Sequence, residues 1–287
     1  MAATASVLAL ALAGVAATQL TRGSPSRERT YTSGAAVLTV MDQPHAKGVM
    51  VTTGGWAYCQ QVRALAQRSR LTLLCGRFPK DGYLGLGLRA RRHLDWGNAP
   101  YLKALAREAA ALHARIGGEL ALLGVSYSGF GVATLASHHP ELRPDRLIVI
   151  DSYLDLAARR AAAGSGGTGR EIDAETGGSK AALEQRSVGV DGLAALVAAG
   201  TRLQVVWSVA PDEEREFKGA TCNLAANAAT LQRLANALGK PVPAWVTTSR
   251  HGHDLWDHGR RIMRGLLPGR KVTFRPGGSV PTWAVCG

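Results

Sequence analysis

The stretch LLGVSYSGF, residues 122–130, carries the residue types best suited to covalent chemistry. A serine hydroxyl is a weak nucleophile, useful only when it is exposed and has a base within hydrogen-bond reach. A sharp strand-to-helix turn of the pattern G-x-S-x-G gives that exposure, and its small residues let the helix pack against its own strand. Gly124 and Ser126 fit the pattern, but Ser128 holds the fifth position and Gly129 arrives one place late. Taking Ser128 as the nucleophile would put Ser126 where the first glycine belongs and Phe130 where the last belongs, and the phenylalanine should clash. Ser126 is therefore the candidate nucleophile, with Ser128 as the small residue standing in for glycine. The surroundings agree, because the apolar run ELALLGV (119–125) precedes the turn and the helix-like GFGVATLASHH follows at once.

Positioning such a turn requires a scaffold, and the rest of the chain has the pattern of one. Apolar and β-branched runs AAVLTVM (35–41), GVMVTTGG (48–55), LTLLC (71–75), RLIVID (146–151), LQVVWSV (203–209) and PAWVTTS (243–249) read as strands. Between them lie helix-like pieces over 58–69, 101–117 and 223–239, with apolar residues at helical spacing. Alternating strands and helices predict an α/β fold, a mostly parallel central sheet with helices on both faces. Residues 152–202 exceed one connecting helix and include GSGGTG, which suggests a small cap or insertion. The Gly- and Pro-rich tail, 268–287, shows no clear element.

With these residues in view, the chain resembles the α/β-hydrolase superfamily, and within it a serine esterase or lipase, over residues 30–267. The resemblance implies a triad in the chain order serine, acid, histidine. The histidine is expected just after the last strand of the pattern, where TSRHGHDLW offers His253 in a G-H-D setting and His251 as the alternative. The acid is expected after the preceding strand, at Asp212 in APDEER beside Glu213, with Asp151 at the end of RLIVID as the other position. Two backbone N–H groups should form an oxyanion hole. Tyr127 supplies one and Trp56 the other, with Gly55 behind it, and the two aromatic side chains either line a pocket or pack in the core. The implied activity is hydrolysis of a small-molecule or lipid-like carboxylic ester, possible substrates including anionic ones, with no cofactor and no metal. Peptidase or amidase chemistry shares the scaffold, and a catalytically silent protein binding an anionic envelope component is the reading from another class.

Composition narrows the setting. The chain has 287 residues, a net charge of +13 and a pI near 10.2. A basic balance favours anionic surroundings, but the lysines and arginines are scattered without an aromatic-interleaved stripe, so a solvated basic surface is the first reading and nucleic acid is not expected. A monomer is expected. The run SVLALALAGVAA (6–17) is too short for a comfortable membrane span and resembles a secretory signal ending at Ala17, although no Lys or Arg precedes it. The expected location is secreted or in the cell envelope, with no membrane span remaining once residues 1–17 are removed. Four cysteines in an exported chain suggest two disulfides among three connectivities, Cys59–Cys75 and Cys222–Cys286 being the expected pairs.

Three weaker signals are set aside. GLGLRA (85–90) lacks the strand–turn–helix context of a dinucleotide site. His251, His253, Asp254 and His258 do not follow a familiar metal-ligand order. Arg89, Arg91 and Arg92 form a short basic patch read as a solvated loop, or as an attractor of anionic substrate.

Overall fold

A computed structural model of the chain describes residues 27–54, 56–77, 97–208, 220–250 and 253–281. The expected leader, the 78–96 loop with GLGLRA and its arginines, Gly55, Asp212, Glu213, His251 and Cys286 lie outside the described residues. So do the side chains of Trp56, Cys222 and His253.

Among the described residues nine strands form one sheet, in the order β1-β2-β4-β3-β5-β6-β7-β8-β9. The six central strands run parallel: β3 (Gly48–Thr52), β4 (Thr72–Arg77), β5 (Glu119–Val125), β6 (Arg146–Ile150), β7 (Arg202–Ser208) and β8 (Val242–Thr247). At one edge β2 (Ala36–Met41) and β1 (Glu28–Ser33) are antiparallel, and β9 (Arg270–Phe274) closes the other edge antiparallel to β8. A tail expected to hold no element thus contributes an edge strand.

The central strands are apolar throughout because both faces are covered. On β5, Leu120 and Leu122 enter one core with α2 (Ala99–Ile116) and α3 (Tyr127–His138). Ala121, Leu123 and Val125 point the other way, into a second core with α1 (Trp56–Ser69) and α9 (His253–Met263). Helix α2 starts where the Asn98 side chain accepts the Tyr101 N–H at 3.1 Å, with Pro100 in the first turn. Its buried stripe runs through Tyr101, Leu102, Leu105, Ala109 and Leu112. A disulfide, Cys59–Cys75, ties α1 to β4 with the Cα atoms 5.7 Å apart, as expected.

The 152–202 segment folds as four helices: α4 (Leu156–Ala163), α5 (Gly167–Thr176), α6 (Lys180–Arg186) and α7 (Val190–Ala198). Side chains of Asp155 and Ser179 cap α4 and α6. Helix α7 makes the crossover to β7, packed so closely on α3 that a Cβ on Gly192 would meet the Ser137 carbonyl at 1.8 Å. The excursion over 155–187 is closed at its base, where Val188 N–H donates to the Leu154 carbonyl (3.1 Å) and Leu156 N–H to Ser187 Oγ (2.8 Å). Beyond β7, α8 (Ala220–Leu238) holds that base through Asn227, whose amide accepts Leu154 N–H and donates to the Ser152 carbonyl, both at 2.6 Å.

Candidate active site

Ser126 sits between the last residue of β5 and the first of α3, with φ 53° and ψ −122°. A left-handed φ of this kind is costly for any residue with a Cβ and persists only where the surroundings over-determine it. Here they do. Ser126 N–H donates to the Ile150 carbonyl of β6 (2.8 Å), while its own carbonyl accepts from Gly129 and Phe130 as the helix begins (3.1 and 3.2 Å). Gly124 and Gly129 are required by space: a Cβ on Gly124 would lie 2.2 Å from the Ser128 carbonyl oxygen, and one on Gly129 would lie 2.7 Å from Ser152 Cβ. From Leu120 to Ser137, Ser126 alone is not buried.

Ser128 does more than leave room. It is buried, and its Oγ accepts the Val125 N–H (2.8 Å) while donating to the Val125 carbonyl (3.0 Å). The pairing of β5 with β3 runs only as far as Leu122, so β3 offers Val125 no partner residue. The serine hydroxyl replaces that missing ladder partner and ties α3 back to the strand it follows.

The residue expected to give the second oxyanion donor, Trp56, follows the neighbouring strand. β3 and β5 are parallel neighbours, so α1 and α3, which begin at Trp56 and Tyr127, start at the same edge of the sheet. The first N–H groups of a helix have no intrahelical acceptor and carry the positive end of its dipole. The turn leading to Trp56 is seated through Thr53. Its hydroxyl hydrogen-bonds the Tyr101 phenol from α2, and a Cβ on Gly131 of α3 would meet its methyl at 2.2 Å. The Tyr127 side chain is 3% exposed and belongs to the core, so of its two expected places it takes the packing one.

Strand order brings the C-terminal ends of β6, β7 and β8 to the same edge as Ser126, since these strands follow β5 in parallel. Asp151 follows Ile150 directly, with φ 49°. Its N–H donates to the Val206 carbonyl (2.9 Å), and its Oδ1 accepts the Ser208 N–H (2.5 Å). One oxygen of Asp151 is thus committed to holding β7. Asp212 belongs to the segment after β7, outside the described residues. His253 is the first residue of α9, and His251 lies just before it.

Asp254, weighed only as a metal ligand, has a different use in the structure. It is completely buried, and its two oxygens accept hydroxyl hydrogen bonds from Thr247 (2.6 Å) and Ser249 (2.8 Å). The carboxylate therefore ties the start of α9, where His253 stands, to the end of β8 and the residues just after it. Among the described residues no group of three His, Cys, Asp or Glu is arranged to hold a metal ion. No described helix is long and apolar enough to cross a membrane.

No protein-family model matches the chain, and no curated protein matches it in sequence. Solved structures do. The acylaminoacyl peptidase of Pyrococcus horikoshii superposes with a TM-score of 0.57 at 10% identity, over 88% of this chain and 41% of that one. An esterase/lipase from an uncultured bacterium superposes with a TM-score of 0.51 at 13% identity, over 85% of this chain and 84% of that one. The chain spans about two-fifths of the peptidase's length and most of the esterase/lipase's. At such identities the likeness is one of fold.

Proposed function

We propose, from the premise that the chain has the α/β-hydrolase fold, that it is an exported serine hydrolase acting on a carboxylic ester through an acyl-enzyme on Ser126. The observation that carries this reading is the left-handed φ of Ser126, a strained and half-buried serine in an otherwise buried strand–turn–helix. The structures it resembles are named as an esterase/lipase and a peptidase, which supports hydrolysis and leaves ester and amide bonds as the two substrate classes.

In the proposed reaction His253 takes the hydroxyl proton as Ser126 Oγ attacks the carbonyl carbon, with His251 as the alternative base. Asp212, or Asp151, holds the imidazole in the productive tautomer and stabilises its cation. The N–H groups of Tyr127 and Trp56 receive the negative charge that develops on the carbonyl oxygen. As the tetrahedral adduct collapses, the C–O bond to the alcohol breaks and the alkoxide leaves with the imidazolium proton. Water then adds to the acyl-enzyme with the histidine again as base, and Ser126 leaves as the alcohol. Residues 152–202 are the proposed cap over this edge. The Cys59–Cys75 disulfide is compatible with an oxidising compartment and supports the exported reading.

The test is active-site labelling of the purified protein with a fluorophosphonate. Labelling and turnover of p-nitrophenyl esters graded by acyl length should both disappear in Ser126→Ala with the melting temperature preserved. Folded protein that neither labels nor turns over would overturn the reading in favour of a silent binding protein. Labelling that survives Ser126→Ala would overturn the choice of serine.

A further inference from the structure

The two helices that begin at Trp56 and His253 pack side by side on one face of the sheet, with Gly259 of α9 in contact with Leu65 of α1. Their outer surface forms a groove of about 500 Å³. It is lined by Arg68 from α1 and by Trp256, His258, Arg260, Arg261 and Arg264 on and just beyond α9. Trp256 is 58% exposed, the most exposed large apolar side chain among the described residues. Positions 256, 257, 260, 261 and 264 are all exposed and follow helical spacing, so one face presents an indole and three guanidinium groups. Asp257 is the single carboxylate lining the groove. None of the four arginines takes part in an ion pair among the described residues, although ten such pairs occur elsewhere.

We infer that this face of α1 and α9 docks on an anionic phospholipid surface. Two features on the same face select that occupant. An exposed indole with a polar tip settles at the level of lipid headgroups, where its ring is half-desolvated. Unpaired arginines around it meet the headgroup phosphates, which accept bidentate hydrogen bonds from guanidinium. A solvated basic face needs no tryptophan, and a single indole offers no series of rings on which successive bases of a nucleic acid could stack. The chain's net charge of +13 draws the whole molecule toward such a surface. Docking also fixes orientation, because Trp256 lies one turn from the start of α9 and His258 lines a second depression with Thr247 and Ser249 at the end of β8. The surface therefore adjoins the end of β8 and the start of α9, the helix that His253 begins. This binding does not depend on whether Ser126 is a nucleophile.

The test is sedimentation of the full chain with vesicles of phosphatidylcholine alone or mixed with phosphatidylglycerol, at ionic strengths from 0.01 to 0.5 M. The bound fraction should require the anionic lipid and fall as salt shortens the screening length. Replacing Arg260, Arg261 and Arg264 together with Gln should weaken binding about a hundredfold at low salt, and Arg264→Gln alone about fivefold. Trp256→Ala should weaken it about tenfold, since the ring's burial is lost. Removing the same charge elsewhere, with Arg202→Gln, Lys240→Gln and Arg275→Gln, should leave most of the binding intact. Turnover of a soluble p-nitrophenyl ester should be the same in all four variants. Equal binding to both lipids, an unchanged triple arginine variant, or an equal loss in the control would overturn the proposal. So would an oligonucleotide that binds more tightly than vesicles with the same dependence on Trp256, which would assign the face to nucleic acid.

Discussion

Ser128→Ala is the sharpest probe of how the nucleophile turn is held. The substitution keeps the small size that lets α3 approach β5, but removes the Oγ that accepts Val125 N–H at 2.8 Å and donates to the Val125 carbonyl at 3.0 Å. Val125 is 5% exposed, so water reaches its freed N–H poorly. A buried donor left without an acceptor costs about 1–3 kcal/mol. For a chain of 287 residues that corresponds to a fall in melting temperature of about 2–5 °C. The strained φ of Ser126 has to be held from both sides, and slackening of the tether should lower the rate of fluorophosphonate labelling by roughly tenfold to a hundredfold. Ser128→Gly is the decisive companion, because it restores the ordinary G-x-S-x-G pattern. It loses the same two hydrogen bonds and adds the entropic cost of a helical glycine, about 1 kcal/mol. The pattern-restoring variant is therefore expected to be less stable and slower than the natural sequence. Differential scanning calorimetry and labelling kinetics, run on all three proteins, read both arms. A Ser128→Gly protein as stable and as quickly labelled as the parent would refute the reasoning.

Gly124→Ala places a Cβ 2.2 Å from the Ser128 carbonyl, where at least 0.8 Å of movement is needed to reach even 3.0 Å. A shift of that size at the turn should cut kcat by about a hundredfold, measured with a p-nitrophenyl ester beside a melting curve. Glu108 accepts hydrogen bonds from Ser33 (2.8 Å) and Tyr31 (3.1 Å), joining α2 to edge strand β1. Burial alone would raise its pKa, but those two hydroxyls and Arg107 outweigh it and hold the carboxyl below its ordinary 4.5. A depressed carboxyl stabilises the fold above the unfolded value and loses that contribution as pH falls through the folded one. Glu108→Gln should therefore cost about 1 kcal/mol at pH 7, a gap that urea titrations should show closing below pH 4.5. Replacing both Cys59 and Cys75 with Ala opens a loop of sequence separation 16 and should cost about 3 kcal/mol, or about 5 °C in melting temperature.

The sequence was legible where local sterics or burial impose the pattern. β5 is read with both of its bounds, since a strand buried on two faces leaves an unbroken apolar run between turn residues. The edge strands were not legible. In β1 every residue but Ser33 is exposed, and in β9 only Phe274 is buried. Such strands are specified by their partners' hydrogen bonds rather than by their own alternation. The excess length between β6 and β7 was plain, but its division into four short helices rests on modest caps such as Asp155 and Ser179. At the site, Ser126 could be chosen because its neighbours must be small. The hydroxyl bridge of Ser128 could not be foreseen, although its departure from glycine was the signal. The bond between Thr53 and Tyr101 joins residues 48 positions apart, and nothing local announces it. Asp254 stood in plain view beside two histidines. Its role depends on total burial and on the hydroxyls of Thr247 and Ser249, which only packing reveals.

The closed base of the 155–187 excursion makes that stretch exchangeable. Leu154 and Val188 are already hydrogen-bonded neighbours, and Asn227 holds Leu154 from outside the segment. The length threaded between them is cheap to change, because each doubling of a loop's length adds only about 0.6 kcal/mol to its closure. Leu156, Ile172 and Leu183 belong to the same buried cluster as the sheet and the helices on that face, so any replacement must cover the apolar surface they leave. Helix α7, which makes the crossover on α3, would stay behind. A hairpin or a longer lid that covers the same apolar surface could therefore take the place of the three helices. The hydrogen bonds that hold the Ser126 turn come from β6 and from within α3, not from the exchanged stretch.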